Sequence, residues 1–179
     1  CPLQYYFLST MSIEKKSSID ELFSLAVQNQ KNNNLQAAKN LYKKILKLNP
    51  KFIKVYYNLG LIFQKMGENE NALRCYEKLI QVNPDLINVQ YNLGLIFEQL
   101  DDNEKAKKCY EKVIEINPNI VDAHNNLGLV FKKLGDNEKA KKCYEKAIEI
   151  NPNYANAHSN LGIFYADLGK YNEAINSYI

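Results

Sequence analysis

Tryptophan is absent from the 179 residues, and glycine, proline, cysteine, methionine and histidine number only 7, 5, 4, 2 and 2. Each shortage excludes something. No apolar run approaches the ~20 residues that cross a bilayer, so a membrane is not an expected partner. The opening stretch Cys1 to Thr10 is apolar but short and has no basic flank, which excludes a secretion signal; residues 1–18 are expected to form a disordered tail. A net charge of +3 without interleaved aromatic and basic residues argues against nucleic acid. The two histidines, His124 and His158, have no nucleophile at catalytic spacing. No catalytic residue, cofactor or metal is therefore expected.

The few prolines are placed with a purpose. Pro50, Pro84, Pro118 and Pro152 stand 34 residues apart, each behind an asparagine: Asn49, Asn83, Asn117 and Asn151. A fixed period of this length marks stacked units, each too small to bury its apolar face alone. Counted back from the prolines, the units span 19–52, 53–86, 87–120, 121–154 and 155–179, the first degenerate and the last incomplete. Leucine fills position 7 throughout (Leu25, Leu59, Leu93, Leu127, Leu161). Position 8 is Ala26, Gly60, Gly94, Gly128 and Gly162, and position 20 is Ala38, Ala72, Ala106, Ala140 and Ala174. Aromatics recur at position 24 (Tyr42, Tyr76, Tyr110, Tyr144, Tyr178) and at position 11 in four units (Phe63, Phe97, Phe131, Tyr165).

The spacing predicts two helices per unit. Tyr56, Leu59, Gly60 and Phe63 fall on one helical stripe, then a polar turn follows Gly67, and Ala72, Tyr76, Leu79 and Ile80 repeat the stripe until Asn83 and Pro84 stop it. Small residues at positions 8 and 20 predict a close crossing of the two helices, A and B, with the aromatics filling the remaining space. Ser18 to Glu21 reads as a capping box opening the first helix. On helix B, Glu104 with Lys108, Lys107 with Glu111, Glu138 with Lys142 and Lys141 with Glu145 are spaced to pair at i,i+4, which predicts a solvated face of compensated charge.

Taken together, these columns resemble the tetratricopeptide repeat (TPR). The pattern of that family has an aromatic at 4, leucine at 7, glycine at 8, tyrosine at 11, alanine at 20, phenylalanine at 24, alanine at 27 and proline at 32. The resemblance implies an all-α, right-handed α-solenoid of antiparallel helix pairs that binds other proteins. Two columns depart from it: position 4 is aromatic only at Tyr56, and position 27 holds Ile45, Leu79 and Val113 before Ala147.

Function is expected on the face of helix A that the core leaves free. Position 6 is Asn58, Asn92, Asn126 and Asn160, with Ser24 in the first unit. An amide donates and accepts at once, so a row of them could grip the backbone of an extended peptide; alternatively it bridges adjacent helices. Beside that row lie Tyr57, Tyr91, Asn125 and Ser159 at position 5, and Leu61, Leu95, Leu129 and Ile163 at position 9. Position 2 holds Lys54, Asn88, Asp122 and Asn156. Positions 5 and 9 read equally well as an apolar groove or as residues buried between neighbouring A helices. They lack the lysine and asparagine with which chaperone-tail-binding members of the family hold a carboxylate, so that ligand is not expected.

The segments 122–128 and 156–162 resemble units of the repeat arm of intracellular O-linked N-acetylglucosamine transferases, which implies, as a second reading, a substrate-recruiting arm of a larger enzyme. Cys75, Cys109 and Cys143 share position 23, where stacked helices about 8–10 Å apart cannot bring sulfurs together, so free thiols are expected. That usage fits the cytoplasm, or the nucleus, rather than secretion. A start at Cys1 with Met11 close behind predicts a fragment or translation begun upstream of the natural start, a stop inside a helix B predicts truncation, and uncapped ends predict self-association.

Overall fold

A computed structural model describes residues 18–177, so the expected N-terminal tail and Tyr178 lie outside the described residues, apart from Ser18. Among the described residues there are ten helical segments and no strand: α1 (18–31), α2 (Leu35–Leu48), α3 (Ile53–Lys65), α4 (Asn69–Val82), α5 (Ile87–Gln99), α6 (Asn103–Ile116), α7 (Val121–Lys133), α8 (Asn137–Ile150), α9 (Ala155–Asp167) and α10 (Tyr171–Ser177). None of these helices is long and apolar enough to cross a membrane. Ser18 is already helical, so it is not the cap residue that the capping-box reading required.

Local chemistry sets the breaks between helices. Each Asn-Pro step is an Asx turn: Asn49, Asn83, Asn117 and Asn151 accept, through Oδ1, the backbone amide two residues on, at 3.0–3.1 Å. The A-to-B turn needs a residue with positive φ. Gly67, Gly135 and Gly169 supply it, while Asn33 (φ 60°) and Asp101 (φ 57°) adopt it at a cost that glycine avoids. Helices α6 and α8 are capped by Asp102 and Asp136, which accept from the amides of Lys105 and Lys139.

The chain divides into two compact units, Cys1–Val82 and Asn83–Ile179. In the first, Ala38, Tyr42, Ile45, Val55, Ile62, Ala72 and Tyr76 are wholly buried. Lys39 is sequestered too, with its ammonium 2.9 Å from Glu68 and 5.9 Å from the Phe63 ring centre. Asn71 donates to the other oxygen of Glu68, so the buried charge is matched. In the second unit, Ala106, Tyr110, Leu127, Val130, Phe131, Ala140, Tyr144, Leu161 and Phe164 form one cluster. Burying each tyrosine contributes about 3 kcal/mol before entropy is counted.

Position 8 packs on the position-24 tyrosine, one of the aromatics expected to fill the space beside the helix crossing. A β-carbon on Gly60, Gly94 or Gly128 would lie 2.5, 2.6 or 2.5 Å from the ring of Tyr76, Tyr110 or Tyr144. The buried stripe of helix A is also wider than the sequence reading had it. Position 3 (Val55, Val89, Ala123, Ala157) and position 10 (Ile62, Ile96, Val130, Phe164) are exposed by no more than 4%. In the first repeat those columns carry Glu21 and Gln28, both exposed, and Leu25 beside them is 47% exposed.

The charge pairing on the B helices is corrected in register. Lys105 with Asp102, Lys107 with Glu104, Lys112 with Glu115, Lys139 with Asp136 and Lys146 with Glu149 all meet at i,i+3, and of the expected i,i+4 pairs only Lys141 with Glu145 forms, at 3.6 Å. Exposed side chains choose between the two spacings by rotamer, which spacing alone does not specify.

Candidate peptide-binding site

Two tyrosine-centred hydrogen bonds shape the free face of the A helices. First, the position-24 hydroxyl at the floor of each helix pair donates to the position-12 side chain of helix A: Tyr42 to Gln30 at 2.9 Å, Tyr76 to Gln64, and Tyr110 to Glu98. In the fourth repeat, position 12 is Lys132, which pairs with Asp167 at 2.6 Å, and the buried Tyr144 hydroxyl has no partner. Second, the position-6 asparagine reaches toward tyrosine oxygen: Asn126 Nδ2 lies 3.1 Å from Tyr91 Oη.

Burial pushes the Tyr42 phenol up to about 12, with the Asn58 bond opposing the rise. Tyr110 is raised by burial and by donating to the Glu98 carboxylate, and Tyr144 is raised chiefly by burial. Burial likewise lifts the free thiols of Cys75, Cys109 and Cys143 to about 11, which makes them packing groups rather than nucleophiles.

In the first unit, Lys54 is exposed, Tyr57 lies tilted against Tyr76 with ring centres 6.3 Å apart, and Asn58 and Leu61 are half-buried. An open cavity of about 530 Å³ is lined by Phe23, Val27, Gln30, Lys31, Asn58 and Lys65. Of the expected site residues only Asn58 borders it. Lys31 and Lys65 occupy position 13, which was not among the positions chosen from the free face of helix A.

In the second unit, Asn88, Asp122, Asn156 and Ser159 are exposed, while Tyr91, Asn92, Leu95, Asn126, Leu129 and Asn160 are half-buried. Leu129 packs against the core cluster. Asn125 is 4% exposed, and its oxygen accepts from Asn160 at 2.8 Å while its own amide donates to Asn126. Asp122 accepts from the Tyr154 hydroxyl, toward which Asn156 also donates at 3.4 Å. The amides of Asn126 and Asn160 therefore donate to the preceding A helix, and the bridging alternative describes both.

Sequence reasoning missed the role of position 4. Tyr56, Gln90, His124 and His158 each bond the proline carbonyl six residues back (Pro50, Pro84, Pro118 and Pro152), at 2.8–3.0 Å. What the column conserves in chemistry is one hydrogen bond to the turn, which phenol, amide and imidazole can all make. The signal was a polar tip in every copy after the first.

Tetratricopeptide-repeat family models match residues 31–67, 52–119, 121–154 and 143–176. Among solved structures, a crystal structure of MamA is 26% identical over 86% of this chain and 90% of that one, with a TM-score of 0.80. MamA from Desulfovibrio magneticus RS-1 is 17% identical over 89% of this chain and 90% of its own, with a TM-score of 0.85. A tetratricopeptide repeat protein from Parabacteroides merdae is 22% identical over 90% of this chain and 64% of that chain, with a TM-score of 0.84. No curated protein matches the sequence. Helix pairs at a 34-residue period, glycine packed on tyrosine at every complete crossing after the first, and these likenesses lead to one assignment: the chain belongs to the tetratricopeptide-repeat family and has its all-helical solenoid fold.

Proposed function

We propose that the chain is a non-catalytic interaction module that binds an extended segment of a partner protein along the free face of its A helices. The observation that carries this reading is the contrast between two stripes of one helix. On α5, α7 and α9, positions 3, 7, 8 and 10 are buried, whereas positions 2, 6 and 9 stay open or half-open, with Ile163 44% exposed. A face that keeps apolar and amide groups accessible while its spacing is fixed by the Asn126 and Asn160 bonds is preorganised for an extended chain. Each of those amides spends one N–H on the neighbouring helix and keeps a second N–H and an Oδ1 lone pair for a guest.

The test uses Asn156→Arg, Ser159→Arg and Ile163→Arg together, all at exposed positions where the fold is retained. Extended peptides selected on the wild-type protein should bind the triple variant at least tenfold more weakly, while the helix-B control Lys142→Glu leaves binding unchanged. Equal binding by both variants sinks the proposal. The transferase-arm reading rests on the sequence of segments 122–128 and 156–162; it requires a catalytic region in the same open reading frame, and a frame without one removes it.

A further inference from the structure

We propose that the cavity of the first unit is a docking site for an extended acidic segment that also carries a large apolar side chain. The inference rests on the peptide-binding reading above and names what this particular site takes. Its walls are chemically divided. Phe23 is fixed edge-on against Phe52, with centres 5.4 Å apart, and tilted on Tyr42 at 5.9 Å, so with Val27 it offers a set apolar surface. Gln30 accepts from Tyr42 through Oε1, which leaves its amide hydrogens to donate, and Asn58, which also lines the cavity, brings a side-chain Oδ1 that can accept. These are the two complementary groups that a peptide bond needs.

Lys31 and Lys65 supply the charge. Among the described residues neither pairs with a carboxylate, and both are exposed. They stand at the C-terminal ends of α1 and α3, where the helix dipole favours a cation without an ion-pair partner. The same column is spent differently in the second unit: it holds Gln99, Lys133 at 3.9 Å from Asp101, and Asp167 bound to Lys132. Overall balance follows suit. Residues 1–82 carry 12 Lys and Arg against 6 Asp and Glu, whereas residues 83–179 carry 11 against 14.

The spacing selects the occupant. Equivalent positions on packed A helices are about 8–10 Å apart, and side chains two residues apart on an extended peptide point the same way at about 7 Å. Two carboxylates at i and i+2 therefore meet the two lysines, with an apolar residue at i−2 against Phe23 and Val27. Nucleic acid is the competing occupant to test: single-strand sites also combine cations with aromatic faces, but they track the phosphate backbone along a basic groove, whereas this cavity offers two lysines.

The probe is dye-labelled acetyl-Ser-Phe-Ser-Glu-Ser-Glu-Ser-amide, followed by fluorescence anisotropy with the full chain. Replacing both peptide glutamates by glutamine should weaken binding at least tenfold, as should Lys31→Glu with Lys65→Glu in the protein. Replacing the peptide phenylalanine by alanine should weaken it about fivefold, and raising salt from about 50 to about 500 mM should also weaken it. Circular dichroism should be unchanged in the lysine variant, because both side chains are exposed. Binding that ignores the glutamates or the lysines overturns the proposal, as does tighter binding of a short oligothymidylate. If neutral peptides bind and respond only to the arginine variants of α9, the acidic site alone is lost; if no peptide binds at all, the interaction-module reading falls with it.

Discussion

The third and fourth repeats share the segment DNEKAKKCYEK, at 102–112 and 136–146, yet the same tyrosine has a different fate in each. Tyr110 donates to Glu98, whereas Tyr144 is buried without a partner because position 12 has become Lys132. Position 5 has changed in parallel: Tyr91 packs its ring on Tyr110 at 5.8 Å, while Asn125 turns to Asn160 and Asn126. Identical helix-B sequences thus give identical caps but different floors. The floor is decided by the helix lying across it.

Glycine-to-alanine changes should separate the two repeats most. A β-carbon at Gly94 meets the Tyr110 ring, which is tethered through Glu98, so overpacking of about 3 kcal/mol against a helix-propensity gain of about 1 kcal/mol leaves a net loss of about 2 kcal/mol. Gly128→Ala meets an untethered Tyr144 and should cost about half as much, as read by urea denaturation. Equal losses would mean that the hydroxyl bond does nothing to hold the ring.

Removing the hydroxyls comes next. Tyr110→Phe should lose about 1–2 kcal/mol by stranding Glu98, whereas Tyr144→Phe should be neutral or slightly stabilising. Lys132→Gln should then raise stability by about 1 kcal/mol, since an acceptor for Tyr144 outweighs one partly exposed ion pair. A loss of stability on Lys132→Gln would show that the Lys132–Asp167 pair matters more than the orphan hydroxyl.

A smaller difference sits in the turns. Asp101 has φ 57° where the fourth repeat has Gly135 at 80°, so Asp101→Gly should stabilise by roughly 0.5–1 kcal/mol in thermal melts. No gain would mean that the contacts of Asp101 with Asn103 and Lys133 offset the backbone strain.

Acid should affect both repeats alike. Hydrogen bonds from the Lys105 and Lys139 side chains, then from their backbone amides, hold Asp102 and Asp136 below the ordinary carboxyl value of 3.8. The folded-state value is the lower one, so this contribution is complete above the unfolded value and disappears as pH falls through the depressed one. Asp102→Asn and Asp136→Asn should each flatten the stability profile below about pH 4, and to the same degree. A difference between them would reveal an unequal environment around two equal sequences.

The period, the helix pairs and the need for small residues where two helices meet were legible in the sequence because each rests on residue size repeated at fixed spacing; that glycine would lie directly on the position-24 tyrosine was not. Positions 3 and 10 were not, since Val89 or Ala123 is compatible with either side of a helix until a neighbour covers it. The candidate site was only partly legible. Most residues chosen from the free face of helix A are exposed or half-buried, but Asn125 among them is buried, and Lys31 and Lys65, which line the cavity, were not singled out. Pairing at i,i+3 rather than i,i+4 was out of reach for the same reason: rotamers answer to surroundings.

By itself the chain determined its punctuation and its local chemistry: Asn-Pro turns, positive-φ residues between helices, aspartate caps, and small residues where two helices meet. These depend on neighbours a few residues away or on a repeat that copies itself. Tertiary structure alone decided which amides bridge helices 35 residues apart, which tyrosine loses its acceptor, and which lysines remain without a counter-charge. Those outcomes turn on the identity of a side chain brought across space, and a hydrogen bond or ion pair is settled only by what is there to receive it.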